Sequence, residues 1–285
     1  MSPNINTSVL ISGTQYFRVE ELNPYSHAAN QPDPSQAASE HAALKAALEQ
    51  AGIQVTQVEA PADCQDGVYT ANWALCRGNA AVLSYLPNMR RTEQPYAEKV
   101  LAAQGFQTIK APYRFSGQGD ALPCGNYLFC GSMYRTDPLM HEFLAAELGY
   151  EVIGLQTVPA VDPNGHAIIN KITGWPDSLF YDLDLALAVL TPNLIAWCPG
   201  AFTPESQEKI RALPLDTIEV SFDEATNGFA CNLVSTGQTV VMSAHAPELK
   251  AAIEAKGLKT ITPQISELSK GGGYIRCTTL TLDNQ

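Results

Sequence analysis

Near the end of the chain Gly271, Gly272 and Gly273 run directly into Tyr274-Ile275-Arg276-Cys277. Three consecutive glycines leave the backbone free to adopt positive φ and to approach a ligand closely, and a thiol follows at once beside a guanidinium. The thiolate is the nucleophilic form of cysteine, and Arg276 would favour it, so this spacing predicts a reactive Cys277. The plainer reading of the same residues is a glycine loop feeding a closing strand, with Cys277 as a small buried hydrophobe.

The other cysteines do not share that setting. The seven, Cys64, Cys76, Cys124, Cys130, Cys198, Cys231 and Cys277, include no C-x-x-C pair, so neither a zinc site nor a disulfide framework is indicated. Six of them read as packing residues, as do Trp73 and Trp197, while Asn232 reads equally as a substrate ligand or as a partner for buried backbone. A formal charge of −12 opposes phosphate backbones and acidic membranes, which argues against nucleic acid as a partner. No apolar run has the length of a membrane span, and Met1 to Gln15 lacks a basic segment ahead of an apolar one. A cytoplasmic protein with no metal and no cofactor is expected.

The elements that must position the thiol repeat five times. Ala42 to Glu59, Pro95 to Lys110, Met140 to Leu155, Glu205 to Phe222 and Pro247 to Ile261 each read as an amphipathic helix, a stop and an alternating strand. The stop is a glycine in four units and Leu213-Pro214 in the fourth of the series. A short apolar run precedes each helix: Val9 to Ser12, Ala80 to Tyr85, Tyr127 to Gly131, Leu194 to Cys198 and Thr239 to Ser243. Five such units around a pseudo-fivefold axis predict an α/β fold, a five-bladed α/β propeller spanning 1–285 as a single domain with a central site. The competing doubly wound sheet would want a glycine-rich first turn, which is absent near the first strand.

The five-unit pattern, Asp66-Gly-Val-Tyr-Thr-Ala-Asn72, Phe115-Ser-Gly-Gln-Gly-Asp120, Phe180-Tyr-Asp-Leu-Asp184 and the terminal Gly-Gly-Gly-Tyr-Ile-Arg-Cys277 resemble the guanidine-modifying pentein superfamily. That family includes amidinotransferases, arginine deiminases, dimethylarginine dimethylaminohydrolases and arginine dihydrolases. Asn23-Pro24-Tyr25 and Thr70-Ala-Asn72 look most like the dihydrolase branch. Arg90-Arg91-Thr92-Glu93 and Tyr134-Arg135-Thr136-Asp137 look more like the dimethylargininase branch, where the arginines hold a substrate carboxylate. The resemblance implies that Cys277 attacks a guanidinium carbon, that carboxylates matching Asp66, Asp120 and Asp184 bind the planar cation, and that a histidine moves the protons.

The chain departs from this pattern where the chemistry is concentrated. The glutamate expected after Phe115 is Ser116, and the histidine expected after Tyr181 is Asp182. With Asn72 in place of a third acid, less negative charge is expected around the substrate carbon, so a neutral ureido, amide or amidine group competes with a guanidinium. Asp182 and Asp184, two apart on a predicted strand, would face the same way, and such a pair raises one pKa, making Asp182 a proton donor at neutral pH. His27 and His166 lie in loops able to close over the site, whereas His41, His141 and His245 fall near helix starts and read as solvated. The segment 162–178 reads as a hairpin-like insertion serving as a lid or as an oligomer contact, which leaves a homodimer open.

The expected site is therefore Cys277, Asp182 and Asp184 for catalysis, with Asn23, Asp66, Asn72, Arg90, Arg91, Ser116, Asp120 and Arg135 around a small amino-acid-like substrate. Two functions fit: a cysteine-dependent hydrolase or group-transfer enzyme acting on a carbon–nitrogen bond, and a non-catalytic binding protein that has kept the pocket.

Overall fold

All five helix–turn–strand units are formed in the computed structural model, which describes residues 4–285. β1 (Ser8–Ile11) leads through α1 (Pro34–Gln50) to β2 (Gln54–Gln57). The second unit is β3 (Ala74–Arg77), β4 (Ala80–Leu83), α2 (Glu93–Ala103) and β5 (Gln107–Lys110). The third is β6 (Ala121–Cys124), β7 (Tyr127–Gly131), α3 (Leu139–Leu148) and β8 (Glu151–Leu155). The fourth is β9 (Leu187–Thr191), β10 (Leu194–Trp197), α4 (Pro204–Arg211) and β11 (Asp216–Glu219). After a short α5 (Phe222–Asn227) comes β12 (Val234–Ser235), β13 (Thr239–Val241), α6 (Pro247–Ala255) and β14 (Lys259–Ile261), and β15 (Leu280–Thr281) ends the series.

These strands make five separate three-stranded sheets, so the doubly wound alternative is excluded. In each sheet the middle strand pairs antiparallel with one neighbour and parallel with the strand that follows its helix. The middle strands read as apolar runs because both of their faces are covered, as Val9, Leu10 and Ile11 show by being fully buried. The first blade is completed from the other end of the chain. Val9 faces Thr281 and Leu10 faces Leu280, so β15 closes the ring on β1 and fixes the segment carrying Cys277.

Local signals account for the helix starts. Asp33 caps α1 by accepting the Gln36 amide, Thr203 caps α4 by accepting that of Ser206, and a proline occupies the first turn of each. The innermost strands β3, β6, β9, β12 and β15 carry no readable period in the sequence, because they are two to five residues long and largely buried.

One expectation about the helices fails. His41 is not a solvated residue at a helix start but lies inside α1, 4% exposed, on the face shared with Leu44 and Leu48. Burial pushes its pKa from 6.5 down to about 4, against a smaller opposing effect from the Ser12 backbone. The unfolded chain therefore takes up a proton at residue 41 before the folded chain does. The associated stability is present above about pH 6.5 and is lost as the pH falls towards about 4, amounting to about 3 kcal/mol. Urea denaturation of the wild type and His41→Leu across this range is expected to show the wild type losing stability relative to the variant as the pH falls. A difference independent of pH would contradict the buried neutral imidazole.

Candidate active site

Several candidate residues sit in the segment just before the innermost strand of their blade, whereas Asn23, Arg90, Arg91 and Arg135 lie between a middle strand and the helix that follows it. Asn72 lies in the turn Thr70–Trp73 before β3, Ser116 and Asp120 flank the turn Gly117–Gly119 before β6, and Asp184 lies in the turn Leu183–Leu185 before β9. Asn232 stands two residues before β12 and Cys277 three before β15. The fivefold repeat thus delivers equivalent loops to one pocket, whose wall includes Asn23, Asp66, Asn72, Ser116, Asp182 and Cys277, with Arg90 and Arg135.

Cys277 is 3% exposed and held from two sides. Its Sγ donates to Asp184 Oδ2 at 3.2 Å and accepts from Asn232 Nδ2 at 3.1 Å. The Asn232 side-chain oxygen takes the backbone N–H groups of both Arg276 and Cys277, at 2.9 and 3.1 Å. Asn232 therefore positions the thiol. The glycine run before it is demanded by packing: at Gly272 φ is +88°, and a Cβ there would stand 2.3 Å from Asn23 Oδ1.

A second network faces the thiol. Asn72 Nδ2 reaches Asp182 Oδ2 at 2.8 Å and both the carbonyl and the Oγ of Ser116 at 3.0 Å. On its other side Asn72 Oδ1 accepts from Arg90 Nη1 at 2.9 Å. Gly119 makes this approach possible, since a Cβ there would lie 2.4 Å from Asn72 Nδ2 and 2.7 Å from Asp182 Oδ2.

The two arginines of the wall differ. Arg90 is fully engaged: its Nε and Nη2 meet the two carboxylate oxygens of Glu93 at 2.8 Å each, a bidentate pair, and Asp66 lies 3.7 Å from Nε. Arg135 is not. Its Nη2 donates to the Leu22 carbonyl at 2.7 Å, but the buried Nη1 has no protein partner, and Asp177 is 3.7 Å away. The 162–178 segment covers this arginine, with Val161 bridged to Ala167, Ile169 bridged to Pro176, and the Trp175 ring 5.7 Å from the guanidinium. The hairpin-like reading of that segment matches.

The comparisons with known proteins agree with one another. A family model described as N,N dimethylarginine dimethylhydrolase, eukaryotic, matches residues 21–283. The chain is 33% identical over 233 residues to N(G),N(G)-dimethylarginine dimethylaminohydrolase of Mycobacterium tuberculosis, covering 81% of this chain and 70% of that protein. The chain belongs to the dimethylarginine dimethylaminohydrolase family. It is also 31% identical over 222 residues to the bifunctional arginine dihydrolase/ornithine cyclodeaminase AgrE of Nostoc sp., spanning 75% of this chain but 29% of that longer protein. The crystal structure of the N-terminal domain of ArgZ, a cyanobacterial arginine dihydrolase bound to product, superposes with a TM-score of 0.86 at 25% identity over 97% of each chain. The fold is the pentein propeller of the guanidine-modifying enzymes.

Within this family frame several expected site residues stand elsewhere. Arg91 is exposed and lies over the Tyr85 ring, 4.9 Å from its centre, outside the pocket. Asp120 is buried behind the wall, where its Oδ1 accepts the Leu183 N–H at 3.0 Å and so holds the turn that carries Asp182 and Asp184. Those two aspartates do not share a strand: Asp182 is an extended residue and Asp184 belongs to the following turn. Arg276 points away from the thiol, donating to Gln118 Oε1 at 2.7 Å and Thr281 Oγ1 at 2.8 Å. Among the described residues no histidine lines the pocket; His27 and His166 are exposed, and His141 bonds the Gly131 carbonyl at 2.9 Å.

The two departures from the family pattern turn out to touch. Ser116 and Asp182 share the Asn72 amide, which donates to the serine Oγ at 3.0 Å and to Asp182 Oδ2 at 2.8 Å. In place of the glutamate and the histidine expected from the family pattern, a hydroxyl at 116 and a carboxyl at 182 meet at one amide. Asp66, Asp182 and Asp184 are all buried, and burial raises the pKa of each; Asp66 is pushed up to about 7 despite Arg90, and Asp182 despite Arg135.

The same environment reverses the expectation for the nucleophile. Burial, then the charges of Asp184 and Asp182, hold the Cys277 thiol well above its ordinary range. Alkylation of the free protein by iodoacetamide is expected to show a midpoint above the ordinary thiol's pKa of about 8.5, and Asp184→Asn is expected to lower it by removing the nearest negative charge. A wild-type midpoint below that of an ordinary thiol would contradict this arrangement.

Proposed function

We propose that this protein is a cysteine-dependent enzyme that cleaves, or transfers a group across, a carbon–nitrogen bond of a guanidino-bearing amino-acid-like substrate. Cys277 is the nucleophile in this reading. The observation that carries it is the pairing of the Cys277 thiol with Asp184 at 3.2 Å in a pocket that also exposes the Asp66 and Asp182 carboxylates. A planar cation entering between these acids stabilises their ionised forms, and it lowers the cost of making a thiolate beside them. Asn23 and Asn72 line the pocket, and the free N–H groups of Arg135 Nη1 suit the substrate's carboxylate. Ureido and amide groups rank behind a guanidinium because they add no positive charge to a pocket walled by Asp66 and Asp182 with Asp184 beside the thiol.

A binding protein without catalysis is the second reading, favoured by the absence of a pocket histidine and by the raised thiol. Intact-protein mass measurement after mixing with L-arginine or Nω,Nω-dimethylarginine separates the two. The enzyme reading predicts a substrate-derived adduct on Cys277, release of amine or ammonia, and loss of both in Cys277→Ala. Saturable binding of either compound with neither adduct nor product would overturn it.

A further inference from the structure

Covalent cleavage at Cys277 requires a group to remove the thiol proton and a group to protonate the departing nitrogen. Asp184, bonded to the thiol, and Asp182, in the pocket wall with it, are placed for these two tasks. Asp184 is completely buried, its Oδ2 already takes the thiol hydrogen bond, and its Oδ1 has no protein partner. Asp182 is 3% exposed and lines the pocket with Cys277; its Oδ2 is fixed by Asn72, and its Oδ1 is buried with no protein partner.

We propose that Asp184 and Asp182 form an acid–base dyad, Asp184 serving the sulfur and Asp182 serving the leaving nitrogen and then the attacking water. This rests on the function proposed above. The cycle starts from the state in which Asp184 is ionised, as befits an acceptor of the thiol hydrogen bond, and Asp182 holds the proton. Attack forms the carbon–sulfur bond, the thiol proton passes to Asp184, and the electron pair of the carbon–nitrogen double bond moves onto nitrogen. Cleavage of the carbon–nitrogen single bond takes the Asp182 proton to the departing amine and leaves an amidino-thioether. Water then attacks that carbon and returns a proton to Asp182, the carbon–sulfur bond breaks, and sulfur recovers its proton from Asp184. Both acids end as they began.

The surroundings suit this division. Asp182 is faced by Arg135 and Arg90, by Ser116 and Asn72, and by the acids Asp120 and Asp184; Asp184 is faced by Asp182, Asp120, Cys277, Arg276 and Asn232. Burial and mutual repulsion among the three acids raise their pKa values, which favours a proton shared within the group. Ser116 is small enough to leave the space that Asp182 occupies, so the two positions work as a unit.

A leaving group that departs without a proton isolates the role of Asp182. Single-turnover adduct formation on Cys277 would be followed by mass for L-arginine or Nω,Nω-dimethylarginine, whichever the wild type uses, and for S-methyl-thiocitrulline, whose thiolate leaves unprotonated. Asp182→Asn is expected to slow adduct formation from the guanidino compound by about 10² to 10⁴-fold while slowing that from the isothiourea by less than about tenfold. Equal losses on both substrates would overturn the assignment. So would a wild type that reacts with the isothiourea but not with either guanidino compound. A wild type that forms no adduct with any of the three contradicts the nucleophile itself, and thus the underlying function. As a check that does not depend on the asparagine variant folding, formate added to Asp182→Ala supplies an acid in the vacated space. A guanidino rate that rises with formate supports the dyad, and a rate indifferent to it counts against the dyad.

Discussion

The Asp182 carboxyl group, buried in the pocket wall and tied to Asn72, is the constraint on which the rest of the pocket depends. A buried carboxylate has to be met by hydrogen bonds and opposite charge or it neutralises. Here the Asn72 amide provides the bond, and Arg90 and Arg135 provide the field. Arg90 can hold Asn72 because Glu93 orients its guanidinium from behind, and Glu93 is itself bonded by the indole of Trp73 at 3.2 Å. The chain of contacts therefore runs from the core of the second blade to a single oxygen beside the thiol. Loosening any member of it would free the Asn72 side chain to turn and leave the acid unpaired.

The fivefold repeat explains how few residues suffice. Every blade contributes a short loop ahead of its innermost strand, and Asn72, Asp182 with Asp184, Asn232 and Cys277 are the contributions of four blades. Asp120, in the equivalent loop of another, braces instead of binding. Two residue pairs between β1 and β15 close the first blade three residues beyond Cys277, so the same pairing that completes the architecture sets the height of the nucleophile.

Much of this was legible in the residues. The helix–stop–strand period announced five units because helices and outer strands expose one face and so keep a pattern, and the glycine run marked the nucleophile's approach. The inner strands left no pattern, being short and covered on both sides. The side-chain directions were equally hidden: Arg276 adjoins Cys277 in sequence yet turns to Gln118, and Arg91 adjoins Arg90 yet faces solvent with Tyr85. The pairing of Ser116 with Asp182 joins positions 66 residues apart, and only the folded chain brings them to one amide. In the fold the two departures meet at the Asn72 amide. The histidine readings failed for a related reason, since whether His41 is wet or dry depends on what α1 packs against.

The central claim is that the pocket remains built for a cation even though Ser116 and Asp182 depart from the family pattern. It is tested most directly by calorimetric binding of L-arginine and L-citrulline to Cys277→Ala at pH 6 and pH 8. With Asp66 titrating at about 7 and its neighbours also raised, the acids ionise as the pH climbs, so arginine is expected to bind more tightly at pH 8 with proton release, while citrulline changes little. Tighter binding of citrulline than arginine at pH 8, or an arginine affinity indifferent to pH, would contradict the account.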